Sequence, residues 1–230
     1  MKRILLIAIA MILCVSACAE DNALSVYRDI AAAMGKTDQW HAQVQDLTAA
    51  VSDEDSLALL DVVSRRLSLF TYELILASDP AQPAAAEPFG DMDTVEACSQ
   101  TGDDWTFVQS AWQHLPDSDL YANCGVQYSD SYIRIDSTTC GAEGALSLIE
   151  TVELAQRDDG QILLVYIRYD EALGTTARCA ALIHGDQASC IYTRTFGMTL
   201  DIVLDANAWV NGADYEDWSK ALLYPAASAQ

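Results

Sequence analysis

Histidine, lysine and the motifs of covalent or metal chemistry are what this sequence has least of. Its three histidines are His41, His114 and His184, and no two share a spacing that would place both on one metal ion. Lysine occurs only at Lys2, Lys36 and Lys220. There is no G-x-S-x-G, S-x-x-K or H-E-x-x-H, and no glycine-rich phosphate loop. The usual sequence supports for triad hydrolysis, Ser–Lys acyl transfer, zinc peptidase chemistry and nucleotide binding are therefore missing. The cysteines include no C-x-x-C, which weakens a metal reading of them. No cofactor is expected.

Positive charge is scarce and negative charge abundant. Twelve Lys and Arg stand against 34 Asp and Glu, a net charge of −22. Such a polyanion is repelled by phosphate backbones and anionic lipid surfaces, so nucleic acid is excluded as a partner. The plainest use of the acids is solubility. Hydrophobic residues still make up 51% of the chain, enough for one ordinary domain, or for a small helical domain beside a β domain.

The chain opens with Lys2 and Arg3, then an apolar run from Ile4 to Val15 that is short for a bilayer span and ends in small residues. That is the pattern of a secretory signal, expected to occupy residues 1–17. Val15, Ser16, Ala17 and Cys18 resemble the lipobox of bacterial lipoproteins. The resemblance implies cleavage before Cys18 and its acylation, and it covers the leader alone. Ordinary cleavage before Cys18, leaving a plain thiol, or after Ala19, are the alternatives. Ala19 rather than aspartate follows the cysteine, which in that class points to an outer-membrane lipoprotein facing the periplasm or cell surface. Loss of Lys2 and Arg3 with the leader would leave ten bases against 34 acids, a net charge of −24.

Seven cysteines are present. With Cys18 acylated or removed, Cys98, Cys124, Cys140, Cys179 and Cys190 remain, an odd number; an unmodified Cys18 would restore parity.

The chain reads as α+β: an N-terminal antiparallel helical segment followed by an antiparallel β-meander of about five or six strands. Tyr27, Ile30 and Met34 follow Leu24 at helical spacing, and Gly35 is expected to end that helix. Trp40, Val44, Leu47 and Val51 repeat the pattern in a second helix. Ser52 is the expected N-cap of a third, with Asp53, Glu54 and Asp55 in its first turn and Leu60, Val63, Leu67, Phe70 and Leu74 along its apolar stripe. Residues 18–77 form this membrane-tethered helical segment. Residues 78–91, with Pro80, Pro83 and Pro88, read as a Pro/Ala-rich linker. Residues 92–224 form the β-rich domain and 225–230 a tail. An alternative is one domain, in which the helices cover a face of the sheet.

Strand signals begin at residues 131–136. Two apolar runs then flank Asp158-Asp159-Gly160 as a hairpin, and the second, Ile162 to Tyr169, is apolar on both faces, as a central strand covered on both sides should be. A second hairpin is expected about His184-Gly185, and Leu200 to Asp205 alternate as a further strand. With that turn centre, residues whose numbers sum to 369 face each other. Cys179 and Cys190 are such a pair, so a disulfide between them is expected in an oxidising compartment. A short helix capped by Asp214, with Tyr215, Trp218 and Leu222 on one face, would close the domain.

Carboxylates are the abundant catalytic resource, yet with so many, solvated surface is the default for each. Asp205 to Glu216 loosely matches a calcium loop, but Trp209 and Val210 stand where a ligand and a glycine belong. Trp105, Phe107, Trp112, Tyr121, Tyr128 and Tyr132 lie close together among polar residues. They suit either core packing or contact with a protein or glycan.

Three functional readings follow. The first is a non-catalytic envelope lipoprotein, tethered through its N-terminal lipid, acting as a binding or assembly module for an envelope protein. The second is an acidic inhibitor or ligand of a cationic envelope protein, such as a basic cell-wall hydrolase. The third is a carboxylate-based hydrolase, which requires two acids converging in a pocket.

Overall fold

The computed structural model describes residues 23–78, 97–141, 144–199 and 209–210. The leader with Cys18, most of the linker, Leu200 to Asp205 and the helix expected after Asp214 lie outside the described residues.

Among the described residues two helices precede the sheet: α1 (Ala23–Ala50) and α2 (Glu54–Ser78). α1 runs straight through Gly35, where an end was expected. The buried stripe Ile30, Ala33, Thr37, Trp40 and Val44 keeps helical period across the glycine. Packing of that stripe outweighs the roughly 1 kcal/mol penalty of a helical glycine. The Thr37 hydroxyl, buried within the stripe, donates to the Ala33 carbonyl at 2.9 Å, so its burial leaves no polar group unmet. The turn before α2 falls where acids cluster, but its cap is Asp53 rather than Ser52: the Ser56 amide donates to Asp53 Oδ2 at 2.8 Å. A carboxylate at this position binds an orphan amide and complements the helix dipole together. No described helix is long and apolar enough to cross a membrane.

Among the described residues nine strands follow: β1 (Cys98–Thr101), β2 (Thr106–Gln109), β3 (Gln113–His114), β4 (Leu120–Tyr128), β5 (Tyr132–Gly141), β6 (Leu146–Gln156), β7 (Ile162–Asp170), β8 (Thr175–His184) and β9 (Gln187–Phe196). They form one antiparallel sheet in the order β1-β2-β4-β5-β6-β7-β8-β9, with β3 also paired to β4. The fold is α+β, with more strands than expected. β1 to β3 are too short to show a period, and β4 carries Asn123 and Gly125 in mid-run. β2 and β3 share one edge of β4. In the gap between them, the Cys124 amide donates to Ser110 Oγ at 2.9 Å and the Ser110 amide to the Cys124 carbonyl at 2.8 Å. The Asn123 side chain, which accepts from Gln109, also donates to the Ser110 carbonyl. An interrupted edge thus stays bonded.

Both helices lie on one face of the sheet and share its core. Leu60, Val63, Leu67, Phe70 and Leu74 of α2 and Ile30 and Val44 of α1 pack with Val126, Ile135, Val152, Leu154 and Leu164. The helices thus cover this face of the sheet. On the other face, Leu163, Val165 and Ile167 of β7 pack with Tyr132, Ala155, Ala180 and Trp209. β7 is covered on both sides, as its two-faced apolar run requires.

Two arginines show how charge is held within the layers. Arg134 forks onto Asp136 at 2.7 and 3.0 Å and reaches Glu153 at 3.2 Å, while the Thr151 hydroxyl donates to Asp136 at 2.6 Å. Arg157 lies over the Trp209 ring, 4.1 Å from its centroid, and donates to the Trp209 carbonyl at 2.7 and 2.9 Å. Trp209, a weak point in the calcium-loop reading, is a fully buried anchor of the second face.

Candidate functional site

Two polar constellations stand out, one open and one closed. The open one is a cleft of about 610 Å³ at one end of the sheet, between the β1–β2 and β4–β5 turns and Lys36 of α1. This size lies within the ordinary range of small-ligand pockets. The first turn is closed by the Gly102 amide donating to the Trp105 carbonyl at 2.8 Å, the second by the Ser129 amide donating to the Tyr132 carbonyl at 2.8 Å.

Gly102 decides where the Trp105 indole sits. A Cβ on Gly102 would come within 2.5 Å of the indole nitrogen, so the ring lies against bare backbone there. Trp105, Tyr128 and Tyr132 line the cleft with aromatic surface, and Asp103, Asp104 and Asp130 line it with exposed carboxylates. Lys36 contributes its one ammonium, 3.4 Å from Asp130. Burial holds the Tyr128 hydroxyl above its ordinary pKa, against a hydrogen bond with Thr106 that lowers it. The arrangement offers flat apolar faces beside fixed negative charge, which suits capture of a cationic or polyhydroxyl group by stacking and charge-assisted hydrogen bonds.

The sequence's aromatic cluster is thus divided by the fold. Trp105, Tyr128 and Tyr132 meet at the cleft. Trp112 and Tyr121 instead pack with Cys140 and Leu146, and His114 meets the edge of the Tyr121 ring at 5.1 Å. The sequence signal for the cleft was Gly102-Asp103-Asp104-Trp105, a turn four residues long with an aromatic at its end.

The closed constellation lies beneath α2. Arg66 pairs with Glu150 of β6, and the Tyr166 hydroxyl donates to the same carboxylate at 2.5 Å. Glu73, seven residues after Arg66 on α2, accepts from the Ser137 hydroxyl at 3.2 Å. Burial pushes the Glu73 carboxyl up to about 7, against the opposing effects of Ser137 and Arg66. The Cys124 thiol is pushed well up by burial and then by Glu73 and Asp136. Two acids with one raised pKa is the pattern a carboxylate hydrolase needs. Glu73 and Glu150 are only 4% and 1% exposed, however, and face the helix–sheet interface rather than the cleft.

The cysteine geometry differs from expectation. His184 pairs with Gln187, so the β8–β9 turn is Gly185-Asp186 and facing residues sum to 371. Gly185 adopts φ 63° as first of the two turn residues, a conformation glycine accepts freely, and this moves the turn centre by one residue. Cys179 therefore faces Tyr192, and Cys190 faces Ala181. Both thiols lie on the helix side of the sheet, on a diagonal, where Cβ atoms are about 7 Å apart or somewhat less. That exceeds ordinary bridging distance, and both are thiols in this structure. Burial first, and then Cys190, push the Cys179 thiol up to about 12. Cys98, Cys124 and Cys140 fall in separate rows: Cys98 faces Gln109, Cys124 faces Ser137 and Cys140 faces Tyr121.

The histidines take local roles. His41 Nε2 lies 3.0 Å from Ser64 Oγ between the helices, and His184 is exposed beside its turn. Asp117-Ser118-Asp119 forms a tight turn in which Ser118 Oγ donates to the Leu115 carbonyl at 2.9 Å. Among the described residues, no three His, Cys, Asp or Glu side chains are grouped to hold a metal ion.

No family model, no curated protein and no solved structure matches this chain.

Proposed function

We propose that this chain is a non-catalytic, lipid-anchored module of the bacterial envelope that binds an envelope protein through the cleft at the β1–β2 and β4–β5 turns. The observation that carries the reading is the pairing of Trp105, Tyr128 and Tyr132 with Asp103, Asp104 and Asp130 around one open cavity. Aromatic anchors ringed by polar groups are what binding surfaces concentrate. The lipobox-like Val15-Ser16-Ala17-Cys18 supports the anchor, and Ala19 after it supports an outer-membrane address. In an oxidising compartment Cys179 and Cys190 are the thiols to join, with a local shift that brings the diagonal pair together.

The test is photo-crosslinking from position 103 in the native envelope, with and without Trp105→Ala. A discrete crosslinked partner lost on Trp105→Ala supports the reading; crosslinks unaffected by that change overturn it. The anchor is tested by intact mass of the membrane-extracted protein, which should begin at an acylated Cys18. An unmodified N-terminus at Cys18 or Glu20 refutes it.

A second reading, an acidic ligand of a cationic protein, draws on Asp103, Asp104 and Asp130 at the cleft. It requires the captured complex to weaken steeply with salt.

A further inference from the structure

β9 is an edge of the sheet, and among the described residues no strand pairs with its outer side. Long bare edges are normally shortened, bulged, or guarded by charge or proline, because they recruit other strands. β9 is neither short nor bulged, and it is guarded by one charge at most: its ten residues, Gln187–Phe196, pair with β8 in unbroken register and include no proline, lysine or acid. Arg194 is the only charge on this strip. The chain leaves β9 on the face away from the helices. Thr199 is held there, its carbonyl by Arg178 and its amide by Thr176 Oγ1 at 3.1 Å, and Trp209 is bound on that same face by Arg157.

The two-residue turn fixes which groups point outward. His184 and Gln187 close it as the narrow hydrogen-bonded pair, so odd-numbered residues of β9 bond to β8. The even-numbered residues Ala188, Cys190, Tyr192, Arg194 and Phe196 turn their amides and carbonyls to the open side. Their side chains lie on the helix-covered face, where Tyr192 is 55% and Phe196 91% exposed.

We propose that β9 is the docking edge for a second copy of this chain, the two β9 strands pairing antiparallel about a twofold axis at Tyr192. In that register Tyr192 faces its own counterpart, Arg194 of one copy faces Cys190 of the other, and Phe196 covers Ala188. The charges agree. Asp53 and Asp55 at the start of α2 lie close enough to Cys190 to help raise its thiol pKa. Each copy thus offers an acid pair beside the position taken by the other copy's only β9 cation. The nearest acid in sequence, Asp186, lies beyond the last pair. An isologous contact of this kind closes at two copies and leaves no further β9 edge free.

The test uses the purified mature chain, in detergent if acylated, followed by sedimentation. Tyr192→Pro removes an outward amide that β8 does not use, so the fold should survive while the dimer is lost. Arg194→Glu places an acid against Asp53 and Asp55 and should weaken the dimer roughly tenfold. Tyr192→Cys, made with Cys179 and Cys190 changed to serine because Cys179 faces position 192 within the chain, should form a disulfide-linked dimer under mild oxidation, since directly opposed residues are within bridging distance, whereas Ser189→Cys in the same background should not. A wild-type chain still monomeric at roughly 100 μM, a dimer indifferent to both Tyr192→Pro and Arg194→Glu, or an edge capped by another segment of the chain or by a different protein overturns the proposal.

Discussion

Replacing Glu73 by glutamine should change how stability depends on pH, by an amount the structure sets. Glu73 is 4% exposed, and burial raises its carboxyl from an ordinary 4.5 to about 7. Arg66, the nearest cation, is already paired with Glu150, so its field only partly offsets the loss of water. Tyr166 and Arg168 act on Arg66, and Glu73 and Asp136 act on Cys124. Because the folded pKa is the higher, the native state holds a proton that the unfolded chain has released between pH 4.5 and 7. Stability therefore falls as pH rises through that window and stays reduced above it. At about 1.4 kcal/mol per pH unit, the fall attributable to Glu73 is roughly 3 kcal/mol. Glutamine keeps an acceptor for Ser137 without the charge. Urea unfolding followed by tryptophan fluorescence should find Glu73→Gln equal to wild type near pH 4.5 and more stable by roughly 3 kcal/mol near pH 8. A difference between the two proteins that stays constant across this range would refute the reasoning.

Gly35→Ala should stabilise the protein by about 1 kcal/mol in thermal or urea unfolding, since a Cβ there meets nothing within 4 Å and the position is mid-helix. Gly102→Ala should expel the Trp105 indole from its seat, shift tryptophan emission and impair partner capture as Trp105→Ala does, with little loss of stability. Phe70→Ala, at a fully buried position between helix and sheet, should cost about 3 to 5 kcal/mol. Mass mapping of the exported protein without reductant should find Cys179 joined to Cys190; recovery of both as alkylated thiols would refute that pairing.

What could be read from sequence follows the strength of local periodicity. The stripe from Leu60 to Leu74 and the runs about Asp158-Asp159-Gly160 each carry enough repeats to define a face, and both elements form as their pattern requires. Gly35 misled because a local breaker was weighed above a stripe that continues past it through Thr37 and Trp40. The edge from Cys98 to Tyr128 was not legible: four-residue strands hold too few alternations, and the bonds joining β2, β3 and β4 arise from Ser110, Asn123 and Cys124 meeting only after folding. The β8–β9 register turned on one residue, whether His184 or Gly185 opened the turn. Of the cleft, the aromatic residues were legible as a cluster, but not which three would line it. Arg66, Glu73 and Glu150 left no sequence signal, because a buried ion pair looks like any surface charge until its surroundings are known.

The start of α1 limits how far the cleft can stand from a membrane. Four residues lie between Cys18 and Ala23, and the five steps span at most about 18 Å even fully extended. Lys36 lies thirteen residues into the helix, a rise of about 20 Å. An acylated copy therefore holds its cleft within about 40 Å of the bilayer surface, however the domain tilts. Such a tether would act as a ruler: a partner confined to greater heights would be out of reach, and one at the lipid surface would meet the aromatic faces at high local concentration.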